Sequence, residues 1–333
     1  MINIVLDVMA GDEGVEANIN GALASLDGTF TVFLVGDENV IQHQISQKKN
    51  KFPESIKIIH AESSISMDAK IAEFRSDRSS SIYHGLKQIN EHKADAFISI
   101  GNSGAIFANA LKVLGRMPGI SRPGFAIPIP SINGTRILID GGANADSKTE
   151  NYLHFALLGA QYYQSVFKKI NPKIGLLSIG SESTKGNQLT LEAYKLLEIH
   201  CPNFIGNVEG TDLTNALDVD VVVTDGFTGN IALKSIEGLA ELIKANLLKE
   251  SQSSLISKIG LLLLKPSIKK IYKRLDYRQY GAVPLLGVNG LVYVGHGRSD
   301  SSAVENAINA AVQSVRNDLF SSLEQSIVST SNN

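Results

Sequence analysis

The sequence predicts an α/β fold in which strands and helices alternate in doubly wound layers, and two observations carry this. Apolar, β-branched runs recur along the chain with helical patterns between them, the alternation that builds a mostly parallel sheet covered by helices. Six of those runs end in a loop of Gly, Asp, Asn and Ser that opens the next helix, at 7–14, 101–104, 140–144, 180–187, 225–230 and 295–300. In an open parallel sheet such loops line one edge, where ligands bind. Helix amino termini present free N–H groups and partial positive charge there, so the predicted crevice suits an anion such as phosphate.

The elements follow in order. Residues 2–6 run straight into Asp7 with no basic stretch before them, so they read as a first buried strand and not as a signal peptide, and no export is expected. Further strands are predicted at 31–35, 56–61, 96–100, 136–139, 174–179, 219–223 and 291–294. Most are continuous apolar runs, the mark of strands covered on both faces. Helical patterns occupy 105–116, 151–167, 188–199, 231–249 and 303–319. Ser147 with Glu150, and Ser302 with Glu305, have the spacing of capping boxes at two of these starts.

One segment has no strand and concentrates charge. Residues 254–278 hold seven basic side chains against the single acid Asp276, leaving 24 basic and 32 acidic residues elsewhere. Leu255, Ile259, Leu262 and Leu263 fall on one helical face, Pro266 is expected to break the run, and Ile268, Ile271, Tyr272 and Leu275 fall on the next face. The expectation is one α/β domain over 1–333 with an amphipathic basic helical hairpin inserted at 250–280. Its apolar stripe suits packing on the core or on a second subunit. Alternatively, Leu262 and Leu263, with Lys265, Lys269, Lys270, Lys273 and Arg274, suit anionic lipid headgroups or an acidic protein.

Composition narrows the class further. A net charge of −2 gives no overall pull toward nucleic acid, and the lone Cys201 excludes a disulfide framework, as a reducing cytoplasm would favour. The longest apolar stretch of the basic segment, 259–264, is far short of the roughly 20 residues a spanning helix needs.

The loops differ in what they offer. Gly180-Ser-Glu-Ser-Thr-Lys-Gly-Asn187 lacks the spacing of a P-loop, but its Lys185 suits charge on a phosphate or a tetrahedral oxyanion. In Asp225-Gly-Phe-Thr-Gly-Asn230, Thr228 and Asn230 are hydrogen-bond donors and Asp225 suits holding a donor in place; a plain cap and tight turn is the alternative. Gly101-Asn-Ser-Gly104 fails the nucleophile-elbow spacing and reads as a backbone anion nest. His296 stands on the predicted crevice edge, as an acid or base or as a structural side chain. Asp7, Asp12, Asp140, Asp146, Asp225 and Asp300 sit at strand ends, where carboxylates cap helices; a magnesium site is the alternative. Neither a zinc-ligand spacing nor a Ser-His-Asp or Cys-His set is legible, so nothing marks a covalent nucleophile; no metal ligand is assigned and no cofactor is expected, with the magnesium site kept as the alternative.

Taken together, the loops resemble those of the bacterial phosphate acyltransferase family, which transfers acyl groups from acyl carrier protein to phosphate in phospholipid synthesis. The resemblance spans nearly the whole chain and rests on Asp7-Val-Met-Ala-Gly-Asp12, Gly101-Asn-Ser-Gly-Ala105, Asp140-Gly-Gly-Ala-Asn144, Lys185-Gly-Asn187, Asn207-Val-Glu-Gly210, Asp225-Gly-Phe-Thr-Gly-Asn230, Tyr280 to Gly287 and His296-Gly-Arg-Ser-Asp300. Ala10, Ser103, Ser181 and the pair Ala282-Val283 depart from the family's usual glycine, threonine, glutamate and Gly-Ala. The resemblance implies a three-layer α/β/α sandwich, related to the phosphotransacetylase and isocitrate dehydrogenase folds, working as a homodimer. It implies Lys185 and Asn230 as the catalytic pair, and Asn102, Ser103, Asn144, Asp225, Thr228 and His296 along the substrate site. It also implies acyl carrier protein and inorganic phosphate as partners, a lipophilic product consumed by a membrane acyltransferase, and a cytoplasmic protein in peripheral contact with anionic membrane.

Overall fold

Apolar runs of this sequence pair into two sheets. The structure, a computed structural model, describes residues 1–47, 53–70, 77–215, 217–251, 254–275 and 279–331. In chain order the elements are β1 (Ile2–Asp7), α1 (Gly14–Ser25), β2 (Phe30–Gly36), α2 (Glu38–Ser46), β3 (Ile56–His60), α3 (Ser81–Asn90), β4 (Ala96–Ser99) and α4 (Ser103–Val113). There follow β5 (Gly124–Phe125), β6 (Ile127–Ser131), β7 (Gly134–Ile139), α5 (Thr149–Phe167), β8 (Ile174–Leu177), α6 (Gln188–His200), β9 (Phe204–Val208) and β10 (Val221–Val223). The chain ends with α7 (Gly226–Ser251), α8 (Leu255–Leu275), β11 (Ala282–Leu286), β12 (Leu291–Gly295), α9 (Ser301–Arg316) and α10 (Leu319–Ser331).

The first sheet has the order β3-β2-β1-β4-β12-β11-β5 and the second β6-β7-β10-β8-β9. Both centres are parallel: Leu6 lies between Leu34 and Ile98, and Val222 between Leu138 and Gly175. Antiparallel strands finish one side of each, β11 and β5 in the first sheet and β6 in the second.

Alternation along each strand makes three layers. Ile4 and Leu6 of β1 join the cluster that holds Ile19 of α1 and Val304 of α9, while Val5 between them joins Ile82 of α3 and Ile106 of α4. Successive side chains leave a strand on opposite faces, so these helix pairs cover opposite faces of the first sheet. In the second sheet Val221 and Val223 pack with Phe155 of α5 and Leu197 of α6, and Val222 packs on the side of Leu233 and Ile236 of α7. The three valines are fully buried, each stabilising by about 1.5–3 kcal/mol. One apolar cluster runs through both sheets, joining Ile4 to Val221.

A buried arginine fastens the second sheet's far edge. Arg136 of β7 donates to the carbonyls of Asp212, Asn215, Leu217 and Val219, which ties these four residues, all ahead of β10, to β7.

Three expectations change. Pro266 lies inside α8 and does not end it; Leu262, whose carbonyl loses its N–H partner at a proline four residues on, is 67% exposed, so water can replace the bond. The hairpin is therefore α7 against α8. Neither capping box forms as expected. Helix α5 begins after Lys148, with the Asn151 side chain accepting from the Lys148 N–H, and α9 begins after Asp300, whose carboxylate accepts from Ala303 N–H. A carboxylate two residues ahead of Ser302 takes the cap first.

Candidate active site

Three of the six loops follow strands of the first sheet (β1, β4 and β12), and three follow strands of the second (β7, β8 and β10). Strands β5 and β6, one in each sheet, are separated by a single residue, Ala126, whose N–H donates to Pro284 O. A cavity of about 760 Å³ opens along this seam. Its polar end carries Asp12, Ser103, Asn230, Lys234, His296 and Arg298. Five of the six loops thus reach one space. The sixth, with Lys185, does not line it.

Asp140 builds the second sheet's contribution. Its carboxylate is fully buried and accepts from the N–H groups of Phe125, Gly142, Ala143 and Asn144 and from the Asn144 amide. Burial pushes this carboxyl up, and the donors of Ala143 and Asn144 pull against it. The loop is thereby wound into a tight cradle, with Gly142 at φ +133, a conformation that strains any side chain. Asn230 packs on Gly142, 3.6 Å from where a Cβ would sit.

Helix α7 starts against the same cradle. Gly226 N–H donates to Asn144 O, and a Cβ on Gly229 would run into the carbonyl of Asp140. Asp225 accepts from the backbone and hydroxyl of Thr228, at 2.8 and 2.9 Å, and from the Tyr152 hydroxyl. Its carboxylate and the Thr228 hydroxyl are therefore committed to holding the first turn of α7. Asn144 is likewise spent on structure, donating to Pro123 O and Asp140. Asn230, by contrast, is exposed and lines the cavity, and its side chain makes no hydrogen bond among the described residues.

The first sheet supplies the facing wall. Asn102 caps α4, accepting from Ala105 N–H, and its amide donates to the carbonyls of Met67 and Ala69. The next residue, Ser103, opens α4 onto the cavity. His296 is half-buried there, and its Nδ1 accepts from Arg298 N–H at 3.2 Å, leaving Nε2–H as the ring's donor when neutral. Burial pushes its pKa down, and the charges of Lys234 and Arg298 push the same way. Glu237 and Asp12 oppose them.

Lys234 was not legible as a site residue, because it sits mid-pattern in α7. It lies one helical turn after Asn230 and pairs with Glu237 at 2.7 Å. Lys185 sits on the loop after β8; β8 neighbours β10, so this loop is adjacent to the one that ends in Asn230. Its own carbonyl accepts from Ser178 and Asn207 and its side chain is exposed. Among the membrane-facing candidates, Leu262, Leu263, Lys265, Lys269 and Lys270 are exposed on α8. Lys273 and Arg274 lie in its last turn, with side chains outside the described residues.

A family model described as "Fatty acid synthesis protein" matches residues 2–322. The phosphate acyltransferase of Halothermothrix orenii is 44% identical, covering 98% of this chain and 98% of that protein. The chain belongs to the phosphate acyltransferase family. It is an acyltransferase by that membership. The phosphate acyltransferase of Thermodesulfovibrio yellowstonii is 40% identical over 99% of this chain and 95% of its own length, and that of Campylobacter jejuni 42% over 94% of each. Among solved structures, a phosphotransacetylase from Streptococcus pyogenes superposes with a TM-score of 0.63 at 18% identity, covering 95% of this chain and 94% of that one. A branched-chain phosphotransacylase from Enterococcus faecalis gives 0.56 at 11% identity, over 95% and 100%. These two share the fold of the family, as the sequence led one to expect.

Proposed function

We propose that this chain transfers a long acyl group from the thioester of acyl carrier protein to inorganic phosphate, giving an acyl phosphate. The observation that carries this is one cavity with a polar end, where Lys234, Arg298 and His296 stand beside Asn230, and an apolar remainder. A phosphate oxygen attacks the thioester carbonyl, the carbon–oxygen bond forms, and the carbon–sulfur bond breaks. The proton of hydrogen phosphate ends on the departing sulfur. Phosphate is already a nucleophile and a thiolate leaves readily, so positioning and oxyanion stabilisation are the catalysis required. Asn230 donates to the oxyanion from the start of α7, and Nε2–H of His296 faces it from the other sheet. Lys234 and Arg298 attract the phosphate, and Lys185 closes on it from the neighbouring loop. Cys201 is no candidate nucleophile, since burial pushes its thiol up to about 12.

The apolar and basic surface of α8 supports peripheral contact with anionic membrane or with an acidic carrier, delivering the product to a membrane acyltransferase. No helix among the described residues is long and apolar enough to cross a membrane. The exposed face of α7 and α8, including Leu239, Leu242 and Ile243, also suits a second copy in a homodimer.

The test supplies palmitoyl-carrier protein or palmitoyl-coenzyme A with phosphate and traps acyl phosphate with hydroxylamine. Hydroxamate from the carrier substrate is expected. None from it would end the reading, and hydroxamate from the coenzyme A substrate alone would make the chain a small-molecule phosphotransacylase.

A further inference from the structure

The cavity's apolar part has a direction and a length. Strand β6 lies along it, and its pairing sets Ile127 opposite Leu138 at the crevice edge and Ser131 opposite Gly134 at the far edge. Ile132, just beyond, donates its N–H to Thr214 O, and both line the cavity. From Ile127 to Ile132 is about 17 Å of extended chain. Facing β6, helix α7 lines the same space with Asn230, Leu233, Glu237 and Ala240, positions three to four apart and so on one side of the helix. From Asn230 to Ala240 is about 15 Å. Ile271 of α8 covers the trough from outside and is 56% exposed.

We infer that this trough is the acyl-chain ruler of the enzyme, with Ala240 and Ile132 at the end that sets chain length. The inference rests on the proposed acyl transfer and names the part of the site that selects among its substrates. The occupant is an acyl chain with its carbonyl at Asn230 and its methyl end toward Ala240. A bilayer's hydrocarbon core of about 30 Å holds two opposed acyl chains, so one membrane-type chain spans about 15 Å. That is the length of the trough. Most of its wall is hydrocarbon, with Ile127, Ile129, Leu233 and Ile236 buried or half-buried along it and the small polar Ser131 and Thr214 at the far end. Glu237, the one acid on this stretch of the helical wall, is held by Lys234 of the polar end at 2.7 Å, so no unpaired carboxylate faces the chain. Ala240 is the smallest side chain on the helical wall at the far end, and it leaves the space that a longer chain fills.

The experiment compares palmitoyl- and octanoyl-carrier protein as donors for the wild type and Ala240→Phe, reading kcat/KM by the hydroxamate trap. Each methylene denied burial costs about fourfold, so a plug excluding three of them shifts the octanoyl-to-palmitoyl ratio by about 60-fold. A rise of ten-fold or more is expected, through KM more than kcat. Ala240→Leu gives a smaller shift in the same direction and carries the test if the phenylalanine variant loses its thermal transition. A ratio that moves less than threefold in a variant melting like the wild type overturns the ruler. Failure of the wild type to turn over either donor would instead remove the proposed function.

Discussion

Removing the Asn230 amide tests the catalytic reading most directly, because the fold does not depend on that side chain. Asn230 is exposed, sits in the first turns of α7, and its side chain makes no hydrogen bond among the described residues. Asn230→Ala therefore leaves stability within about 0.5 kcal/mol, and alanine's better helix propensity favours α7 slightly. With 333 residues, unfolding entropy is about 0.7 kcal/mol per degree, so the melting temperature shifts by less than about 1 °C. Activity responds differently. Loss of one preorganised donor to a developing oxyanion costs about 2.7–4 kcal/mol, or 10²–10³ in kcat. Asn230→Asp goes further, since it removes the donor and sets a negative charge where phosphate must approach. The assay is hydroxamate formation at saturating phosphate, with phosphate varied to separate KM from kcat. A fall in kcat below threefold for Asn230→Ala, with the melt unchanged, refutes the oxyanion role.

Other perturbations give distinct readouts. Lys185→Ala is expected to lower turnover by about 10²; an effect under threefold removes that lysine from the chemistry despite its place beside the Asn230 loop. Lys234→Met raises KM for phosphate and lifts the titration midpoint of His296 toward its ordinary value, because Lys234 is one of the charges holding it down; an unmoved midpoint in ring-proton NMR contradicts this. The depressed pKa of His296 also contributes stability that is complete above about pH 6.5 and is lost as acid carries the pH through the lower folded value. Changing both Leu262 and Leu263 to Glu should abolish flotation with anionic liposomes, and unchanged binding would assign α8 another task. Arg136→Met strands four backbone carbonyls and is expected to cost about 4 kcal/mol, lowering the melting temperature by about 6 °C; calorimetry showing no loss would mean water replaces the guanidinium.

Fold class and the glycine-rich loops were legible because both follow from local chemistry. A run such as Val221–Val223 is apolar on every residue, and that alone marks a strand buried on both faces. What the sequence hid were elements whose residues argue against them. Ile127–Ser131 and Ala282–Leu286 contain prolines, which removed them from the strand pattern, yet they join the two sheets and wall the cavity. Division into two sheets was invisible for the same reason. Among site residues, strand-end position picked out Asn230, Ser103 and His296, which do line the cavity. It could not separate them from Asn144, Asp225 and Asn102, whose polar atoms the fold consumes in caps and cradles. Lys234 carried no loop signal, since only tertiary packing turns that side of α7 inward.

Prolines 128 and 130 have one further consequence. In a strand, alternate N–H groups point to the same side, and β6 is bonded to β7 on one side only. The two prolines occupy the alternate positions that would otherwise present donors outward. An apolar strand rim left open invites another chain to zip onto it. Here the rim has acceptors but no donors on its outer side, so it can be greasy without being adhesive.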